Sequence, residues 1–289
     1  MGNPDVASKW SHLVGRFAEA GLRLEMAERP LQGLQNPHIF QMDIRRRFRN
    51  NARSEYFRVW PGTGSRIEVL GTDRRLAQLV LLVHEPRRKF TQRVGKWALE
   101  SGHASLPRQA RVLYDDGRTV TFEMWTPGMG KRHYLCGIDE RQLFVAQLPH
   151  GVSTVADAHA ALKDPMVTLY EGTARVVRQG EWFFLPATDE ELEEIERGLK
   201  SHQIAIRHRA SIGRAHGAIG GHPHTADQLI VVPGAPDATG RRVRRNEVFI
   251  RGRVRHIDHE TVKFASWRKT IRNRERLDQL RTNGILWID

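Results

Sequence analysis

Arg111-Val112-Leu113-Tyr114-Asp115-Asp116-Gly117-Arg118-Thr119-Val120-Thr121-Phe122 reads as two short β-rich runs closed by a turn. Asp-Gly supplies the positive-φ conformation that a tight primed turn requires, and the β-branched and aromatic residues on either side suit a pleated strand. The stretch is therefore an antiparallel hairpin, and its neighbours repeat the pattern. Downstream, His133–Cys136 and Leu143–Ala146 flank the turn-like Gly137-Ile138-Asp139-Glu140. Upstream, Tyr56–Trp60, Arg66–Leu70 and Leu79–Val83 are short apolar or alternating runs punctuated by Gly62, Gly64, Gly71 and Asp73.

Helical spacing is confined to a few segments. Val6, Trp10, Leu13, Val14, Phe17, Gly21 and Leu24 predict an amphipathic helix between Pro4 and Pro30. Ser153 or Thr154 caps a short helix to Leu162. Thr188 with Glu191 three residues on is a capping box for a helix to about Leu199, with Asp189 and Glu190 also suiting its positive end. Strands are expected at 174–177 and 182–185, and again at Gln228–Val232, Val248–His256 and Thr261–Ala265. A last, basic helix is expected from about Lys269 to Arg281. The fold class is α+β: mostly antiparallel sheets with an N-terminal helix, short middle helices and a basic C-terminal helix. Two regions are expected, 1–150 and 151–289, with a boundary near 150–172.

Length and composition allow packed cores, with seven Trp and eleven Phe among 289 residues. A single cysteine, Cys136, excludes an intramolecular disulfide framework and a multi-cysteine zinc site. That usage suits a reducing setting, so a soluble, cytoplasmic protein is expected. Lys9, Arg16, Glu19, Arg23 and Glu25 interrupt the N-terminal segment, which argues against a secretory leader, and no apolar run is long enough to span a membrane.

Charge is unevenly distributed. The chain carries a formal +13, and residues 201–289 hold 17 Lys+Arg against 8 Asp+Glu. Seven of the fourteen histidines lie between His202 and His259. A strong Arg-over-Lys bias reflects codon composition as easily as function, but it does not explain the excess over acids. A polyanionic partner, nucleic acid, is the expected class.

Within that region Arg251, Arg253 and Arg255 alternate along a strand. They present guanidinium groups on one face at about 6–7 Å spacing, close to a nucleic-acid backbone repeat. Phe249, Phe264 and Trp267 lie nearby, and Trp267 is the candidate stacking surface for an unpaired base, which favours RNA or a single strand. Arg241, Arg242, Arg244 and Arg245 form a basic loop tip, and Arg272, Arg274 and Arg276 fall on the expected C-terminal helix. The earlier cluster Arg45, Arg46, Arg47, Arg49 and Arg53 reads as a phosphate-contacting arm or a solvated connector.

The histidines point to a second class of chemistry. His222 and His224 share a face of an extended chain, and His256-Ile257-Asp258-His259 offers two imidazoles and a carboxylate. If strands bring these together, His222, His224, His256, Asp258 and His259 form a ligand set whose cofactor is a divalent metal ion. The enzyme alternative is a nuclease or phosphodiesterase, with His216, His256 and His259 as the acid–base candidates. The third class is an assembly protein whose basic surface meets an acidic partner. His103-Ala104-Ser105-Leu106 and His259-Glu260-Thr261-Val262 superficially resemble the paired motifs of two-histidine phosphoesterases, but so short a pattern arises by chance at this histidine count and carries no activity. The glycine-rich stretch Gly213–Gly221 matches no phosphate-binding loop.

Overall fold

The computed structural model describes residues 10–31, 39–49, 52–62, 64–85, 87, 89–106, 110–125, 130–140, 142–173, 175–215, 223–234, 246–257 and 259–275. Antiparallel sheets dominate it. Helix α1 (Ser11–Glu19) and strand β1 (Leu24–Met26) lead into the hairpin β2 (Gln41–Arg49) and β3 (Ala52–Trp60). β4 (Arg66–Asp73) and β5 (Gln78–Glu85) follow, then β6 (Lys89–Gly95), helix α2 (Lys96–Glu100), β7 (Arg111–Asp115) and β8 (Thr119–Trp125). β9 (Gly130–Asp139) and β10 (Gln142–Gln147) complete this half. The first sheets are ordered β1-β3-β2, β10-β9-β5-β4 and β6-β8-β7.

One apolar core joins the first two sheets. Leu13 and Phe17 of α1 meet Met42, Ile44 and Phe57, and these meet Ile67, Leu79, Leu81, Tyr134 and Cys136. The opposite face of the β5–β9 pair, through Val80 and Leu135, is covered by helix α3 (Val155–Leu162). β5 is thus covered on both faces, which is why Leu79–Val83 is a continuous apolar run rather than an alternating one. The Asp115–Arg118 turn forms as its residues require: Asp116 Oδ1 accepts from the Arg118 and Thr119 amides, and Gly117 takes φ +78°.

The second half is a six-stranded sheet in the order β11-β12-β16-β15-β14-β13. Helix α4 (Pro165–Leu169) precedes β11 (Val177–Gln179) and β12 (Trp182–Pro186). After helix α5 (Asp189–Lys200) come β13 (Arg207–Ser211), the turn α6 (Ile212–Ala215), β14 (Thr225–Val232), β15 (Glu247–Arg255) and β16 (Val262–Arg272). The capping box at α5 is present, and Ile195 packs with Ile230, Phe249 and Trp267 on one side of the sheet. Trp182, Phe184, Leu229, Ile250, Val254 and Phe264 fill the other side.

Two irregularities bend this sheet. Three residues of β16 stand between the partners of Ile250 and Gly252, and two residues of β15 stand opposite Asp227 alone. Such insertions kink a strand and increase its twist. In consequence β16 doubles over. The β11–β12 turn, which pairs beside Arg272, also reaches the β15–β16 loop, where Gln179 Nε2 donates to the Glu260 carbonyl. The sheet wraps round its inner core and brings three loop ends to one place.

Several expectations are corrected. Among the described residues the N-terminal helix spans Ser11–Glu19 and stops short of Leu24, because Leu24–Met26 pairs in parallel with Phe57–Val59; Val6 lies outside the described residues. The basic cluster at 45–53 is not an arm: it belongs to the β2–β3 hairpin, with Arg45 on Asp43 and Arg46 on Glu55. No basic C-terminal helix is seen among the described residues. Lys269–Arg272 is strand, paired with Trp182–Leu185, and 276–281 lies outside the described residues. The charged side chains obscured that alternation. The Lys269 ammonium sits 2.7 Å from both Glu191 and Glu247, so a lysine is accommodated at a buried strand position. No helix among the described residues is long and apolar enough to cross a membrane.

Candidate metal and anion sites

Strand parity brings the histidines together. Ala226 and Val254 face the inner core, so His224, two residues before Ala226, and His256, two after Val254, also turn inward at the same end of the sheet. His259 enters from the β15–β16 loop. Ring centroids are 4.3 Å apart for His224–His256, 4.8 Å for His256–His259 and 5.4 Å for His224–His259. One ring nitrogen from each lies within 4.8 Å of the others.

The surroundings are specific. His224 is 2% exposed, and its Nε2 is buried with no hydrogen-bond partner. Its Nδ1 lies 3.9 Å from Glu181 Oε1. His259 Nδ1 is 3.2 Å from Glu140 Oε2, and Glu140 occupies the β9–β10 turn with φ +55°. A non-glycine residue there carries backbone strain, held in place by the hairpin that aims its carboxylate. Gly180 makes the room: a Cβ at that position would fall 2.7 Å from His259 Nε2. Burial, then the neighbouring His256 and His259 and the cation Arg272, pulls the His224 pKa down to about 3, so this imidazole is neutral at physiological pH.

The arginine strand forms a separate site on the outer face. His208, Arg209, Arg251, Arg253 and Arg255 line a cleft of about 640 Å³ with Asp227 among them. Asp227 Oδ2 accepts from the Arg253 amide at 3.0 Å and its Nε at 3.2 Å, while Oδ1 accepts from Arg255 at 2.7 Å. Those bonds, the amide first, hold the carboxyl well below the usual range. Arg251 donates to Gln228 Oε1 at 2.7 Å and lies 4.6 Å over the Trp267 ring. Gly252, at φ +88° in the bulge, lets the backbone pass Asp227.

Of the expected nucleic-acid contacts, Arg251, Arg253 and Arg255 do share a face. Trp267 does not offer a stacking surface. It is 6% exposed and packs under Arg251 against Ile195, and Phe249 and Phe264 are buried in the same sheet. Arg272 ends β16 over Trp182 and 3.6 Å from Glu275, and the Arg274 amide donates to Leu162. Neither lies on the cleft. Of the histidine set, His224, His256 and His259 converge. His216, His222, Asp258, Arg241, Arg242, Arg244, Arg245 and Arg276 lie outside the described residues. Of the paired His-x-Ser/Thr motifs, His103 stacks on Trp97 of α2 at 5.0 Å, while His259 belongs to the histidine cluster. Cys136 is fully buried and its thiol is pushed up by that burial, which disfavours the thiolate.

Sequence reasoning missed Asp227, Arg209, Gly180, Glu181 and Glu140. Asp227 had a local signal, a lone acid opening a strand that faces three arginines. The others had none, because their roles depend on turns from elements far apart in the chain. No protein-family model, curated protein or solved structure matches this chain.

Proposed function

We propose that this protein binds nucleic acid in the cytoplasm, contacting phosphates through the outer face of the β13–β14–β15 sheet. One observation carries the reading: four guanidinium groups, with His208, line a single cleft in which, among the described residues, Asp227 is the one carboxylate. Asp227 holds Arg253 and Arg255 at fixed positions without neutralising the group, and a preorganised guanidinium fork suits phosphate oxygens. Phe249, Phe264 and Trp267 of this sheet being in its core, the reading is of backbone contact and not of base stacking. The +13 charge adds long-range attraction for the same partner. A single, buried cysteine accords with the cytoplasm.

The test compares two triple variants by fluorescence polarisation with a labelled random oligonucleotide, as RNA and as DNA. Arg209→Gln/Arg253→Gln/Arg255→Gln is expected to weaken binding at least about tenfold at ~0.1 M salt. Arg66→Gln/Arg74→Gln/Arg75→Gln removes equal charge from the β4–β5 region and is expected to weaken it far less. Equal losses in both variants, or none in the first, overturn the reading.

A further inference from the structure

We propose that His224, His256 and His259 form a binding site for one zinc-class divalent ion, with Glu181 and Glu140 as outer carboxylates. The site is distinct from the arginine cleft and does not rest on the nucleic-acid reading.

Three observations converge on it. First, three imidazoles arrive from two chain segments, His224 before β14 and His256 with His259 after β15, with ligand atoms within 4.8 Å of one another. Tetrahedral zinc with bonds of about 2.0–2.1 Å sets its nitrogen ligands about 3.4 Å apart, so closing on an ion takes about an ångström of ring movement. Second, His224 Nε2 is buried and unpartnered. A buried nitrogen lone pair without a donor is unfavourable, and a cation at the centre of the three rings satisfies it. Third, His224 and His259 each turn Nδ1 toward a carboxylate, at 3.9 Å and 3.2 Å. That leaves Nε2 of each ring for the ion, and a carboxylate behind a ligating imidazole fixes its tautomer and raises its basicity.

The donor chemistry narrows the ion. Imidazole nitrogen suits Zn²⁺, Cu²⁺, Ni²⁺ and Fe²⁺, and disfavours Mg²⁺ and Ca²⁺, which take oxygen. Among the described residues the group holds three imidazoles, one donor fewer than a closed tetrahedral zinc site has. The placement also has a mechanical consequence. The ligands lie at the ends of β14 and β15 and in the β15–β16 loop, against the β11–β12 turn, and Glu140 belongs to the other half of the chain. An ion there ties together the open end of the wrapped sheet and braces it on the β9–β10 turn.

The full-length chain, stripped with chelator, is titrated with Co²⁺ and with Zn²⁺ against a chromophoric competitor. One equivalent of Co²⁺ with the intense visible bands of a tetrahedral site is expected, and Zn²⁺ displaces it. His256→Asn/His259→Asn removes two ligands without cutting into the buried His224 and is expected to lose at least about 100-fold in affinity. Glu140→Gln keeps every ligand and the fold, and is expected to lose about 10- to 100-fold. Circular dichroism of each apo variant separates loss of the site from loss of the fold. No stoichiometric binding by the wild-type chain, or undiminished binding by a folded double variant, overturns the proposal.

Discussion

Gly252→Ala tests the bulge that shapes the arginine cleft. Gly252 has φ +88°, where an L side chain costs about 1–2 kcal/mol. The added Cβ would also fall 2.7 Å from Asp227 Cβ and 3.0 Å from Oδ2, closer than real Cβ contacts come. Either Asp227 moves, breaking its bond from the Arg253 amide, or β15 shifts against β14. Crowding of this kind costs a further ~1–2 kcal/mol, for about 2–4 kcal/mol in all. For an unfolding unit of this size that is on the order of 5–15 °C in Tm. The assay is denaturant unfolding followed by tryptophan fluorescence, which reports on Trp182 and Trp267 in this sheet. Gly15→Ala is the control of opposite sign: Gly15 lies within α1 with nothing near its would-be Cβ, so alanine should stabilise by about 0.5–1 kcal/mol. A Gly252→Ala protein as stable as the parent would refute the argument that the bulge requires a glycine.

Three further outcomes are expected. Glu85→Ala takes away the carboxylate paired with Arg132, whose side chain is 3% exposed, and an acceptor from the Phe40 amide; a loss of about 3–5 kcal/mol should appear in urea unfolding, and a loss under about 1 kcal/mol contradicts the pairing. Burial lowers the pKa of His133 and of His159 below the value near 6.5 of the unfolded chain, so the unfolded chain binds more protons. Their contribution is complete above about pH 6.5 and declines as pH falls below it; the urea midpoint should drop from pH 7.5 to 5.5, and less steeply in His159→Gln. Asp227→Asn removes a negative charge from the cleft while keeping an acceptor oxygen for the Arg253 amide; a folded variant should bind an oligonucleotide at least as tightly and keep the wild-type salt slope, read by polarisation, and a lost salt dependence argues against phosphate contact there.

The local elements were legible where chain-neighbouring residues decide them. Asp115–Arg118 announced its hairpin, and Thr188 with Glu191 announced the helix cap, because both signals act within four residues. Arg251, Arg253 and Arg255 were placed on one face by period-2 alternation, and all three line the cleft although β15 carries an extra residue opposite Asp227. Lys269–Arg272 misled because a buried strand lysine depends on two carboxylates, Glu191 and Glu247, that no local pattern marks. Trp267 misled for a related reason: a tryptophan beside arginines resembles a stacking platform until α5 is known to cover it. The histidines could be named from sequence but not joined, since the meeting of His224 with His256 depends on the β14–β15 register, which no local pattern states. Glu140 and Gly180 come from turns whose proximity is set by the whole sheet.

The central claim is that the C-terminal sheet contacts phosphates, and the salt dependence of oligonucleotide binding tests it most directly. Each phosphate neutralised contributes about −0.9 to the slope of log affinity against log salt for duplex DNA. Three contacts from Arg209, Arg253 and Arg255 predict a wild-type slope of about −2.7 or steeper, and a slope shallower by about 2.7 when all three become glutamine. A flat wild-type slope, or the same slope in wild type and variant, would contradict the account.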